Sequence, residues 1–195
     1  MSDPEVQIQP VRRVDASIAK GILHAAIENE ASLIVMGWRG KPTFRQSIFG
    51  TVLDEVVWHA TVPVMVGRLI TPINAMRRVV LVVPPNSLGV GLAGKTLEIV
   101  TTVAQAINVP LLVLAAQRYV VNLRDGLDKL KPEQPYEVVR LGSNVIQDVA
   151  GKVSAEDLMV VTTMGSQRRF RSSLGHILEQ LVAAIPGSIV MIHYP

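Results

Sequence analysis

Valine, isoleucine and leucine gather in short runs along this chain, and between the runs apolar residues fall back to every third or fourth position. Residues 79–83, 110–114, 137–141, 158–161 and 188–192 have the near-continuous apolar character of strands buried on both faces. Residues 93–107 carry Leu97, Val100, Val103, Ala104 and Ile107 at helical spacing. The same spacing recurs in 143–153, through Val145, Ile146, Val149 and Val153, and again in Ile177, Leu178, Leu181, Val182 and Ile185. Strands alternating with amphipathic helices predict an α/β fold, a doubly wound parallel sheet with helices on both faces. Residues 119–135 stay ambiguous, with a short helical pattern over 123–130 that two prolines close.

The first 69 residues repeat only the later part of that scheme. A candidate strand at 6–14 contains Pro10, which argues for a sheet edge. A helix over 16–28 shows Ile18, Ile22, Ala25 and Ala26 on one face, and a buried strand (33–36), a loop, a helix (51–59) and a strand (62–66) follow. A shift of 125 positions lays Ser32-Leu33-Ile34-Val35 over Asp157-Leu158-Met159-Val160. It also carries Gly40 onto Gly165, Gly50 onto Gly175, and Val64-Met65-Val66 onto Ile189-Val190-Met191 without a gap. Nothing ahead of Val6 corresponds to 79–114. The chain therefore reads as a partial β-α-β-α-β copy in 1–70 followed by a complete copy in 76–195.

Composition narrows the function classes. Of 195 residues, 49% are hydrophobic and 18% charged, so a membrane span has to be considered; yet the most apolar stretch, 109–116, is strand-sized. A spanning helix needs about 20 apolar residues. The absence of cysteine removes disulfides, thiol catalysis and cysteine-based zinc sites, and fits a reducing compartment. A net charge of +3 with 4% aromatic residues gives no basic stripe with stacking rings, so nucleic acid is not an expected partner.

The candidate chemistry follows the strand at 33–36. There the chain reads Gly37-Trp38-Arg39-Gly40, then nine residues, then Gly50-Thr51 opening a helix. Glycine at a strand's carboxyl end lets the backbone turn and a phosphate approach. Gly-Thr at a helix start offers free N–H groups, the positive dipole end and a hydroxyl. Arg39, Lys41 and Arg45 add positive charge. Ordinary strand-to-helix turns also use glycine, so spacing alone leaves both a phosphate loop and a plain turn open.

This Gly-x2-Gly-x9-Gly-Thr pattern, between a buried strand and a helix that leads into Val62-Pro63-Val64-Met65-Val66, resembles the universal stress protein family. The resemblance implies a sheet of order 3-2-1-4-5 in the complete copy and an adenine nucleotide, ATP or AMP or a related cyclic dinucleotide, on the glycine loop. It also implies a homodimer through terminal strands or a swapped half-domain. On that basis Gly37, Arg39, Gly40, Gly50 and Thr51 in the first copy, with Gly165, Gly175 and His176 in the second, are candidate nucleotide contacts. The wording of 33–44 further resembles universal-stress modules found as cytoplasmic tails of bacterial cation/proton antiporters. That implies a transporter in the same polypeptide and a cytoplasmic, non-enzymatic regulatory role.

Departures from the family pattern limit these expectations. In the complete copy Thr162 replaces the first signature glycine, His176 stands at the Ser/Thr position, and Val83-Pro84-Pro85-Asn86 lacks the usual acidic nucleoside contact. The second site is expected to be degenerate, although Arg168, Arg169 and Arg171 keep its loop basic. The first copy keeps its loop but lacks the strands that would hold the base, from which the natural polypeptide is expected to continue upstream of Met1. Two other readings stay open: a ligand-free dimerisation or interaction module, and a P-loop NTPase on Gly89-x4-Gly94-Lys95-Thr96, for which no later strand ends in a suitable Asp. His24, His59, His176 and His193 have no metal-ligand spacing; His59 is expected as a helix-end cation and His193 at a surface or interface.

Overall fold

In the computed structural model, which describes residues 7–38, 51–89, 91–165, 175–185 and 187–195, the apolar runs become strands of one seven-stranded sheet. The strands are β1 (Ile34–Gly37), β2 (Val64–Arg68), β3 (Arg78–Val83), β4 (Leu111–Ala115), β5 (Tyr136–Arg140), β6 (Asp157–Met164) and β7 (Ser188–Tyr194). The helices are α1 (Ile18–Glu28), α2 (Thr51–His59), α3 (Leu92–Ala106), α4 (Gln117–Leu130), α5 (Val145–Ala150) and α6 (Gly175–Ala184). The ambiguous stretch is thus helical from Gln117 to Leu130, and it ends where Lys131 turns into the left-handed region.

The strand order is β1-β2-β7-β6-β3-β4-β5. Counting β3 to β7 as first to fifth, the second unit runs 3-2-1-4-5, as the resemblance implied. Every neighbour pair is parallel except β2 with β7. Right-handed crossovers put α3 and α4 on one face, over Val79, Leu81, Val83, Val113 and Val160. They put α1, α2, α5 and α6 on the other, over Val64, Val66, Val80, Val82, Met159, Val161 and Met191. Both faces of β3 are consequently dry, with Val79 to Val83 fully buried, which is why its sequence shows no polar alternation.

The antiparallel β2–β7 ladder joins the two expected copies into one sheet. Val66 stands opposite Met191, the residue that the 125-position shift assigns as its own counterpart, so the ladder is symmetric about that pair. Both are buried. The connection from β2 to β3 is tied beneath the ladder: Ser188 Oγ accepts from the Ile70 and Thr71 N–H groups (2.9 and 3.0 Å), and Thr71 Oγ1 donates to the Ala155 carbonyl (2.9 Å). Beside it the Arg78 guanidinium meets buried Asp157 at 2.7 Å.

Two expectations are corrected here. Residues 7–14 form no strand, and Ile8 and Val14 are exposed. In a 3-2-1-4-5 order the third strand pairs only with the second, and the first unit has no second strand, so this segment has no ladder to join. The terminal strand, expected to pair across a homodimer, has β6 on one edge and β2 on the other; neither edge is left for a second chain.

If the symmetric ladder couples both units, Met191→Ala is expected to lower the unfolding free energy by about 2–5 kcal/mol. Urea unfolding followed by far-ultraviolet circular dichroism and by tryptophan fluorescence should shift as one transition. Trp38 and Trp58, both in the first unit, should not report a separate step.

Candidate functional site

Because β2 and β7 run in opposite directions, the carboxyl ends of the two units' parallel strands lie at opposite ends of the sheet. Each end holds one candidate crevice.

At the first, Gly37 closes β1 in register with Gly67. Among the described residues a Cβ on Gly37 would meet nothing within 4 Å, so none of them blocks the backbone there. The Trp38 N–H donates to the Gly67 carbonyl (2.7 Å), its buried ring lies 5.5 Å from the Arg68 guanidinium, and Arg68 in turn reaches the Gly187 carbonyl. This cation–π contact ties the start of the loop to β2. Thr51 is the first residue of α2. Arg39, Gly40 and Gly50 lie outside the described residues. Asp54 is buried in the first turn of α2, where the helix dipole favours a negative charge.

At the second, the crevice sits between β3 and β6, where the sheet order reverses and ligands bind in folds of this type. It is filled from within. Thr162, standing where the first copy has Gly37, is fully buried, and its hydroxyl is 3.0 Å from Ser87 Oγ, also fully buried. Ser87 spends its own proton on the Pro84 carbonyl (2.7 Å), so Thr162 is the donor between the two. Thr96 Oγ1 donates to the Leu92 carbonyl and accepts from Tyr194, whose hydroxyl is 2.6 Å away. Leu88 is buried and the Met164 thioether lies against Gly89, 3.3 Å from where its Cβ would be. Gly165 turns the chain out of β6 at φ 94° and donates to the Tyr194 carbonyl. Gly175 and His176 open α6.

The P-loop alternative fails on this geometry. Helix α3 already begins at Leu92, so Gly94 and Lys95 lie within it, and the Thr96 hydroxyl that should reach a magnesium ion is inside the protein on Leu92 and Tyr194. Among the described residues no three His, Asp or Glu side chains converge as metal ligands.

His193 corrects another expectation. Instead of lying at a surface, it is buried in β7, its Nδ1 3.0 Å from Thr163 Oγ1. Burial holds its pKa down at about 4. His59 does close α2, with Nδ1 on the Glu55 carbonyl (2.8 Å). Farther out, the Asp15 carboxyl is held well below the usual range by Arg13 and then by His24 and the Ala16 N–H. The Ser87–Thr162 and Thr96–Tyr194 pairs escaped sequence reasoning because their partners are far apart in the chain. Thr162 reads there only as a missing glycine.

Comparison with known proteins bears out the family resemblance. Residues 2–68 match the universal stress protein family. Over 76 residues, 38% of the chain, the sequence is 37% identical to the Na(+)/H(+) antiporter NhaS5 of Synechocystis sp. (strain ATCC 27184 / PCC 6803 / Kazusa), and the match spans 11% of that relative. Among solved structures, a universal stress protein from Archaeoglobus fulgidus DSM 4304 superposes with TM-score 0.60 at 18% identity, covering 89% of this chain and 64% of that one. A putative universal stress protein from Pseudomonas aeruginosa UCBPP-PA14 gives TM-score 0.54 at 10% identity, covering 92% and 69%. These structural likenesses show the α/β fold. No helix among the described residues is long and apolar enough to cross a membrane.

The buried histidine has a pH signature. Its folded pKa, about 4, lies below the unfolded value, near 6.5, so the neutral form is favoured by folding. That contribution is complete above pH 7 and is lost as pH falls from about 6.5 through 4, a loss of ~3 kcal/mol. His193→Gln should flatten this part of the profile, measured as the difference in urea unfolding free energy between pH 7 and pH 4. Thr162→Val, which removes the donor to Ser87 while keeping the volume, should cost about 1 kcal/mol at either pH.

Proposed function

We propose that the chain is a non-enzymatic regulatory module that binds an adenine nucleotide, ATP or AMP or a cyclic dinucleotide, on the loop from Gly37 to Thr51, and that binding biases an ion transporter attached to it or partnered with it on the cytoplasmic side. One contrast carries this reading. Gly37 ends its strand with no described residue within 4 Å of where a Cβ would stand, whereas its counterpart Thr162 puts into the second crevice a side chain already hydrogen-bonded to Ser87. An approachable backbone next to a helix start is what a phosphate needs, and only the first unit keeps it. The family match covers this unit, and the transporter enters through the antiporter relative. In this reading residues 1–70 are the ligand-bearing partial copy and 76–195 the complete copy that supports it.

The sealed second crevice favours a second reading, a module that binds no small molecule and acts only through contacts with other polypeptide. Calorimetry separates the two. Titration of the chain with ATP, AMP and cyclic di-AMP is expected to show one site, and Gly37→Glu should weaken it at least tenfold, since the added carboxylate meets the phosphate by like charge. Circular dichroism should be unchanged, because no described residue lies within 4 Å of a Cβ at Gly37. Absence of heat with all three, together with no nucleotide released when the purified protein is denatured, would leave the ligand-free module.

A further inference from the structure

The outer edge of β1 is apolar and open. The Ile34 and Trp38 N–H groups donate inward, to the Pro63 and Gly67 carbonyls of the β2 segment (3.0 and 2.7 Å). Alternation along a strand then turns the Val35 and Gly37 N–H groups outward, where no strand pairs with β1 among the described residues. Val35 is 67% exposed. Among the described residues no helix covers the sheet face opposite α1 and α2 over β1 either, since α3 and α4 pack on β3, β4 and β5. The sequence Ile34-Val35-Met36-Gly37 has none of the lysine, proline or bulge by which proteins blunt an edge.

We propose that this edge and bare face are an interaction surface for a strand–helix unit of polypeptide outside these 195 residues, its strand running parallel to β1. The protein itself displays the fit. The 125-position shift turns Ile34, Val35 and Met36 into Met159, Val160 and Val161 of β6, and β6 pairs in parallel with β3 through Val80, Leu81 and Val82. On the bare-face side Leu81 packs with Leu97 and Val100 of α3. The occupant is therefore an extended run of at least three apolar residues followed by an amphipathic helix whose apolar side covers Val35. A second copy of this chain does not supply it. Strands β2, β3, β4, β6 and β7 are paired on both edges, and β5 is an exposed strand carrying Glu137 and Arg140. Two β1 edges meeting about a twofold axis would pair antiparallel and leave both faces bare.

Amide hydrogen exchange at Val35 and Gly37, measured without nucleotide so that it stands apart from the binding reading, tests this. In the chain alone both amides should exchange fast at every protein concentration. Joining a second copy of residues 76–141 ahead of Met1 should slow both at least 100-fold, and Val35→Arg in that fusion should abolish the slowing. Should the fusion not fold, a peptide of residues 78–107 added to the chain must give the same slowing. Fast exchange in the folded fusion or at saturating peptide, slowing that survives Val35→Arg, or slow exchange in the chain alone that is lost on dilution would overturn the proposal. The last result would assign the edge to a second copy.

Discussion

The antiparallel ladder between β2 and β7 is the interaction on which the rest of the molecule depends. Without it β7, buried from Ser188 to Tyr194, would be an apolar edge strand, and β1 with β2 would be a two-stranded ribbon too small to stand alone in water. Five register pairs, Val64–His193 to Arg68–Ile189, remove both problems at once. They also merge the two hydrophobic clusters into layers that run across both units: Val64 and Val66 share one with Met159 and Ile189, and Met65 packs against the other.

The direction of that ladder fixes the chemistry available at each end. Antiparallel pairing sends the carboxyl ends of the two units' strands to opposite ends of the sheet, so no single ligand can touch both crevices. They have diverged accordingly. In the second unit Thr162 donates to Ser87 and Tyr194 to Thr96, while Ser87 and Thr96 give their own protons to the Pro84 and Leu92 carbonyls, so all four hydroxyl protons are already engaged inside the crevice. Such a network is costly to open because each buried hydroxyl would lose its partner. In the first unit the equivalent position is a glycine with no described residue within 4 Å of where a Cβ would stand.

Much of this was legible in the sequence, and the failures have a common cause. The continuous apolar runs placed β3, β4, β6 and β7, and 51–59 matched α2 to the residue, because those elements are specified by local periodicity. The strand expected at 6–14 failed because a strand needs a neighbour, and its neighbour is missing from this chain. His193 was placed at a surface or interface by residue type, which carries no information about the β2–β7 ladder that buries it. The glycine loop was visible as a pattern, whereas the closure of its counterpart depends on Ser87 meeting Thr162 across 75 positions. No window along the chain contains both.

The open edge and the sealed crevice are two outcomes of one asymmetry. The second unit has all five strands, so its switch point lies between two buried strands and can be packed shut, and that closure adds to the stability of the whole sheet. Among the described residues the first unit has two, and β1 and α1 are held mainly through β2 and α2. Elements with few buried partners open at the lowest free energy, so β1 and α1 are the part of the structure most responsive to anything that binds them. A strand added along Val35 would extend the sheet, and a ligand over Gly37 would meet the carboxyl end of β1. Both would act on β1 and α1, which the ladder centred on Val66 and Met191 joins to the rest of the sheet. On the reading proposed above, a regulatory input is received at the end with fewer packed strands, and the larger part of the sheet is the body against which the change is felt.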